Sequence, residues 1–218
     1  MRSVVIAVCV LMGLATSARA TTISYTSSAA FLSALGSSAI TETYEGLPLN
    51  LLIAPGSTVD GITYASFPPG AEGRIDNIFV GLGNQGLALQ RGNENPNDTG
   101  FFFPGDSMTV TFPSPIDAIG IFINVGPSPV GSLTVTTTAG SAGNGASYDV
   151  ATLFFIGLIS DTTFSGATFA GDSSVTTGFT FDNLTYAAPI PEPMSVILVT
   201  TGLVTLVTRR RRKSADDN

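Results

Sequence analysis

Between residues 21 and 188 the apolar side chains alternate with polar ones instead of recurring at every third or fourth position. A two-residue period belongs to a strand with one buried face, so the central part of the chain is confined to β structure. The runs 58–67, 75–80, 108–112, 116–124, 133–138, 147–152, 154–159, 164–169 and 179–186 are rich in Val, Ile, Thr and Phe, which suit a pleated, half-buried surface. Gly, Pro, Asn and Asp punctuate them about every ten residues, a rhythm that suits an all-β sandwich or jelly roll. An early strand is expected at 40–45. One short helix is expected at 29–35, capped by Ser27 or Ser28 and ended by Gly36, with Phe31, Leu32 and Leu35 facing the core.

The residues that are missing restrict the chemistry. The 218-residue chain has no histidine and no tryptophan, and its one lysine is Lys213. A Ser-His-Asp triad, a Cys-His dyad and a histidine-ligated zinc site therefore cannot be built. A lysine Schiff base within the body of the chain is excluded too. Residues 21–188 carry 13 carboxylates against Arg74 and Arg91. Nucleic acid requires cations that displace phosphate counterions, so it is excluded as a partner.

The two ends read as addresses. Arg2 precedes an uncharged apolar run at 4–14, and Ala18-Arg19-Ala20 fits the small-x-small cleavage rule. Residues 1–20 are thus expected to be a secretory signal peptide. Cys9 leaves with it, so the remaining chain has no cysteine and must be held by its core alone. At the other end, residues 193–208 hold no charge. As a helix they span about 24 Å, and flanking arginines can snorkel to complete the crossing. A single transmembrane helix is expected at about 194–208. The basic cluster 209–213, with Arg209, Arg210, Arg211 and Arg212, stops translocation and stays inside. The expected organisation is a signal peptide at 1–20, a β-sandwich ectodomain at 21–188 and a tail at 189–218.

Pro191-Glu192-Pro193, followed by a short apolar helix and an arginine cluster at the C-terminus, resembles the PEP-CTERM sorting signal. The resemblance implies handling by an exosortase-type membrane peptidase near that tripeptide. It also implies transient anchoring in the inner membrane, then release to the cell surface or an extracellular polysaccharide matrix. Residues 111–120, Phe154-Phe155-Ile156-Gly157-Leu158-Ile159-Ser160 and Phe181-Asp182-Asn183-Leu184-Thr185-Tyr186 resemble the jelly-roll, lectin-like ectodomains found upstream of such tails. Those domains are compared with carbohydrate-binding modules.

Two sites are expected from these readings. Modules of that kind often hold a structural Ca²⁺ between an early strand and the last one. Here Asp182 with Glu45, or with Glu42, would supply its carboxylates, while no other cofactor is implied. The amide-rich stretch 91–99 reads as a solvated hairpin tip that can also contact sugar. No catalytic residue stands out. A structural or adhesive surface protein that binds glycan weakly is one function class. A secreted, carboxylate-dependent glycoside hydrolase is the other.

Overall fold

The computed structural model describes residues 21–77, 82–92, 100–125, 132–143, 152–171 and 178–189. The expected leader, Pro191-Glu192-Pro193, the tail helix and Arg209 to Arg212 lie outside them, as do residues 93–99 and most of the expected strand at 147–152. Among the described residues no helix is long and apolar enough to cross a membrane.

The described chain is mostly β. Its strands are β1 (Thr22–Tyr25), β2 (Ala39–Glu42), β3 (Leu52–Ile53), β4 (Ser57–Val59), β5 (Ile62–Ser66), β6 (Ala71–Asp76), β7 (Gly86–Arg91), β8 (Ser107–Val125), β9 (Leu133–Thr137), β10 (Gly140–Gly143), β11 (Thr152–Gly171) and β12 (Phe179–Ala187). One helix, α1 (Ser28–Leu35), follows β1 and runs into a 3-10 turn at Gly36–Ser38.

The long antiparallel pair β8–β11 organises the rest. The N-terminal half of β8 also pairs with β5, and the C-terminal half of β11 with β9. The C-terminal half of β8 pairs instead with β12, and the N-terminal half of β11 with β1. Two layers therefore share two strands. One runs β1-β11-β8-β12-β7-β6-β3, with β2 also beside β12; the other runs β10-β9-β11-β8-β5-β4. One core lies between them. It joins Ile119, Ile121, Ile123, Phe181 and Leu87 of the first layer to Met108, Val110, Val135 and Phe169 of the second. The arrangement is that of an all-β sandwich.

Two expected pairs of strands are each one strand. The runs 108–112 and 116–124 form β8, and the runs 154–159 and 164–169 form β11. Pro113 and Pro115 sit where the β8–β11 register shifts and where β8 is exposed, so they remove no ladder bond. Conversely, the expected strand 58–67 is the hairpin β4–β5. It turns at Asp60 and Gly61, both with positive φ, as a two-residue Asp-Gly turn requires. The early strand stops at Glu42 rather than running to 45, because Tyr44 takes φ 63° and leaves the strand.

The helix starts at Ser28, one residue before the expected 29, and ends at Leu35 as expected. Ser27 Oγ accepts the Ala30 N–H, and Gly36 closes the other end with φ 63°. Phe31 and Leu35 are buried, but Leu32 is 43% exposed, so the core-facing side is narrower than expected. Phe31 reaches the sheet because Gly120 and Gly157 are paired there on neighbouring strands. A Cβ on Gly157 would lie 2.9 Å from Phe31 Cδ2 and 2.7 Å from Phe155 Cε1. The two glycines make a flat seat for the ring, and Ala118, Phe155 and Ala187 complete a second small core. Burying Phe31 and Leu35 stabilises by about 1.5–3 kcal/mol each.

Candidate functional site

Alternation along β6 and β7 divides their side chains between two faces. Gly73, Ile75, Leu87 and Leu89 face the main core. Glu72, Arg74, Asp76 and Gln90 leave the opposite face, the one that α1 covers further along the sheet. Arg74 is only 2% exposed, and Asp76 and Gln90 are buried with it. Its guanidinium pairs with Asp76 through one nitrogen and donates to Gln90 Oε1 at 2.6 Å through the other. Gln90 Nε2 in turn donates to the Arg91 carbonyl at 3.2 Å. A buried charge is tolerated when it is paired and hydrogen-bonded in this way.

Beside this network lies an open cleft of about 300 Å³, lined by Asn50, Leu52, Glu72, Arg74, Gln90, Arg91 and Gly92. A second hollow of about 370 Å³ shares Glu72, Gln90 and Gly92 with it and extends to Pro55 and Gly70. The two adjoin along β6 and β7. Asn50 enters the first from a turn with φ 64°, and Leu52 is 49% exposed on the edge strand. Glu72 is half-buried and lies directly across from Gln90. The lining combines an apolar edge, an amide, a carboxylate and a fixed guanidinium, which suits a polar, uncharged ligand with an apolar side.

The Arg91 guanidinium meets Asp106 at 2.5 Å and lies 5.4 Å from the centre of the Phe103 ring. Asp106 also accepts the Phe103 N–H at 2.6 Å.

Asp182, Glu45 and Glu42, named above for Ca²⁺, each accept backbone N–H groups. Asp182 Oδ2 accepts the Leu82 N–H at 2.7 Å. Glu45 Oε1 accepts the N–H groups of Asn84 at 2.5 Å and Gln85 at 3.0 Å. Asp182 and Glu45 thus grip the two ends of the 82–85 turn. Hydrogen bonds from Asn84 and then Gln85 hold the exposed Glu45 carboxyl below its ordinary range. Glu42 accepts the Tyr44 N–H at 2.6 Å, and burial pushes its carboxyl up against the lowering effect of that bond. The buried Tyr44 and Tyr64 hydroxyls lie 3.4 Å apart, and burial raises both phenols. Among the described residues no three of His, Cys, Asp or Glu are grouped so as to hold a metal ion. Glu45 lies in a turn beyond the end of β2, and Asp182 and Glu45 meet the same 82–85 segment.

The sequence reading missed Asn50, Leu52, Glu72, Arg74 and Gln90. A signal was present: residues 71–76 alternate small or apolar residues with Glu72, Arg74 and Asp76. Charged residues at every second position of a strand mark its second face.

No protein-family model matches the chain, and no curated protein does. Among solved structures the chain is similar to the CBM22-1–GH10 modules of the N-terminal endo-1,4-β-D-xylanase 10B of Clostridium thermocellum, complexed with xylohexaose. The identity is 11% and the TM-score 0.36 over 66% of this chain; the match spans 29% of the xylanase chain.

Proposed function

We propose that this chain is an exported cell-surface or extracellular-matrix protein with a structural and adhesive role, and that its β-domain contacts glycan without turning it over. The observation that carries this reading is the cleft over β3, β6 and β7, where an exposed leucine edge and Glu72 meet the Arg74 guanidinium and the Gln90 amide, both held by a buried network. The carboxylates nearby have structural partners: Asp76 holds Arg74, Asp106 holds Arg91, and Asp182 and Glu45 hold the 82–85 turn. Within the sandwich class, the two strands shared between layers favour a jelly-roll, lectin-like arrangement.

The tail supplies the route. The apolar run 194–208 anchors the chain in the inner membrane, Arg209 to Arg212 stop its passage, and Pro191-Glu192-Pro193 marks the chain for an exosortase-type peptidase. The domain then reaches the surface or the matrix.

A glycan array combined with a reducing-end assay on the same sugars tests the adhesive reading. Binding without product is expected. Release of new reducing ends would overturn it in favour of a hydrolase. Processing is tested separately: Glu192→Ala should leave the chain anchored and uncleaved, and cleavage at the normal rate would reduce the tail to a plain anchor.

A further inference from the structure

We infer that the cleft selects neutral saccharides and rejects uronic acids, with Glu72 as the residue that sets the charge preference; this rests on the glycan reading above. Three observations lead to it. The two cations of residues 21–188 are both committed to aspartates, Arg74 to Asp76 and Arg91, which also lines the cleft, to Asp106. Arg74 is seated under the cleft rather than at its mouth, being 2% exposed, and its two terminal nitrogens are turned to Asp76 and Gln90. Glu72, half-buried, lines both hollows.

A uronate entering here would thus meet a like charge at close range. It would do so in a domain with 13 carboxylates against two arginines, whose field already repels anions. A neutral sugar meets neither penalty. Its hydroxyls both donate and accept, so they satisfy Glu72 and the Asn50 amide, while the C–H side of a ring lies on Leu52. The adjoining hollow at Pro55 and Gly70 shares Glu72 and Gln90 with the cleft, which leaves room for a second ring beside the first.

The test is calorimetric titration of the detergent-solubilised full chain with a panel of neutral oligosaccharides and with each one after oxidation of its C6 carbons to carboxylates. At least one neutral member should bind, and its oxidised counterpart should bind about tenfold more weakly or worse, as expected for one close like-charge contact. Glu72→Lys should abolish or reverse that ratio, and Glu72→Gln should reduce it. The same charge reversal at Asp161, on β11 across β8 and β12, should leave it unchanged. Melting curves establish that each variant is folded. Equal or tighter binding of the oxidised sugar, or a ratio unmoved by both Glu72 variants, would overturn the inference while leaving glycan binding in place. No binding by any member of the panel to the folded wild-type chain would overturn the glycan reading itself, and the inference with it.

Discussion

The two ends of one sheet face have opposite chemistry. Where β8, β11 and β12 carry Gly120, Gly157, Ala118 and Ala187, the face is smooth and apolar, and α1 lies on it through Phe31 and Leu35. Where β6 and β7 carry Glu72, Arg74, Asp76 and Gln90, the same face is polar, and a cleft opens beside it. The first region gains stability by excluding water from aromatic surface. The second spends desolvation on a buried ion pair, which apolar side chains of similar volume would often equal or exceed in stability. A fold needs only the first kind of surface, so the second points to recognition.

The comparison can be broken most forcefully at its two centres. Phe31→Ala leaves a cavity over the glycine seat and should cost about 3–5 kcal/mol, read as a lower denaturation midpoint with unchanged slope. Arg74→Ala strands Asp76 in a buried position and should cost a similar 3–5 kcal/mol. The pair parts company on compensation: Arg74→Met with Asp76→Leu should recover most of the stability but not glycan binding. If the double variant stayed as unstable as Arg74→Ala, the polar network would be a structural necessity and the contrast between the regions would fail.

A smaller effect is expected at the seat itself. Gly157→Ala places a methyl within 3 Å of two aromatic rings, and overpacking of this kind costs about 1–3 kcal/mol. The α1 cap should matter less again, with Ser27→Ala costing about 1 kcal/mol.

The smallest effect is one of pH. The Glu45 carboxyl is depressed by the Asn84 and Gln85 N–H groups, so near its ordinary value of 4.5 the unfolded chain binds more protons than the folded one. Its contribution is fully present above that pH and is lost as pH falls through the lowered folded value. Glu42 runs the other way: burial raises its carboxyl, so the folded state is favoured at low pH and that contribution is lost as pH rises through the raised value. The protection factors of the Asn84 and Gln85 amides, after correction for the intrinsic pH dependence of exchange, should fall on acidification, and Glu45→Ala should make them low at every pH.

The apolar region was the more legible in sequence. Ser27 and Gly36 bracket the helix by local rules that the fold does not override, and the strand-rich middle follows from its two-residue period. Leu32 was misassigned because a helix resting on a flat glycine seat buries a narrow stripe, and nothing local distinguishes Leu32 from Leu35. The strands β8 and β11 were each read as two because Pro113, Pro115 and the polar 160–163 segment look like loops. The pairing that carries both strands through those points is non-local. The Asp60-Gly61 turn was written in the sequence but masked by the apolar run around it. The cleft was least legible, since β3 and β7 lie far apart in sequence and meet only through β6. Only the alternation of Glu72, Arg74 and Asp76 pointed to it.

The central claim, that the polar region receives ligand while the helix-covered region maintains the fold, is tested most directly by nuclear magnetic resonance. A binding neutral oligosaccharide is titrated into isotopically labelled protein and the backbone amide shifts are followed. Shifts concentrated at Asn50, Leu52, Glu72 and Gln90, with residues 28–35 unmoved, are the predicted result. Shifts centred on α1, or spread evenly over both regions, would contradict it.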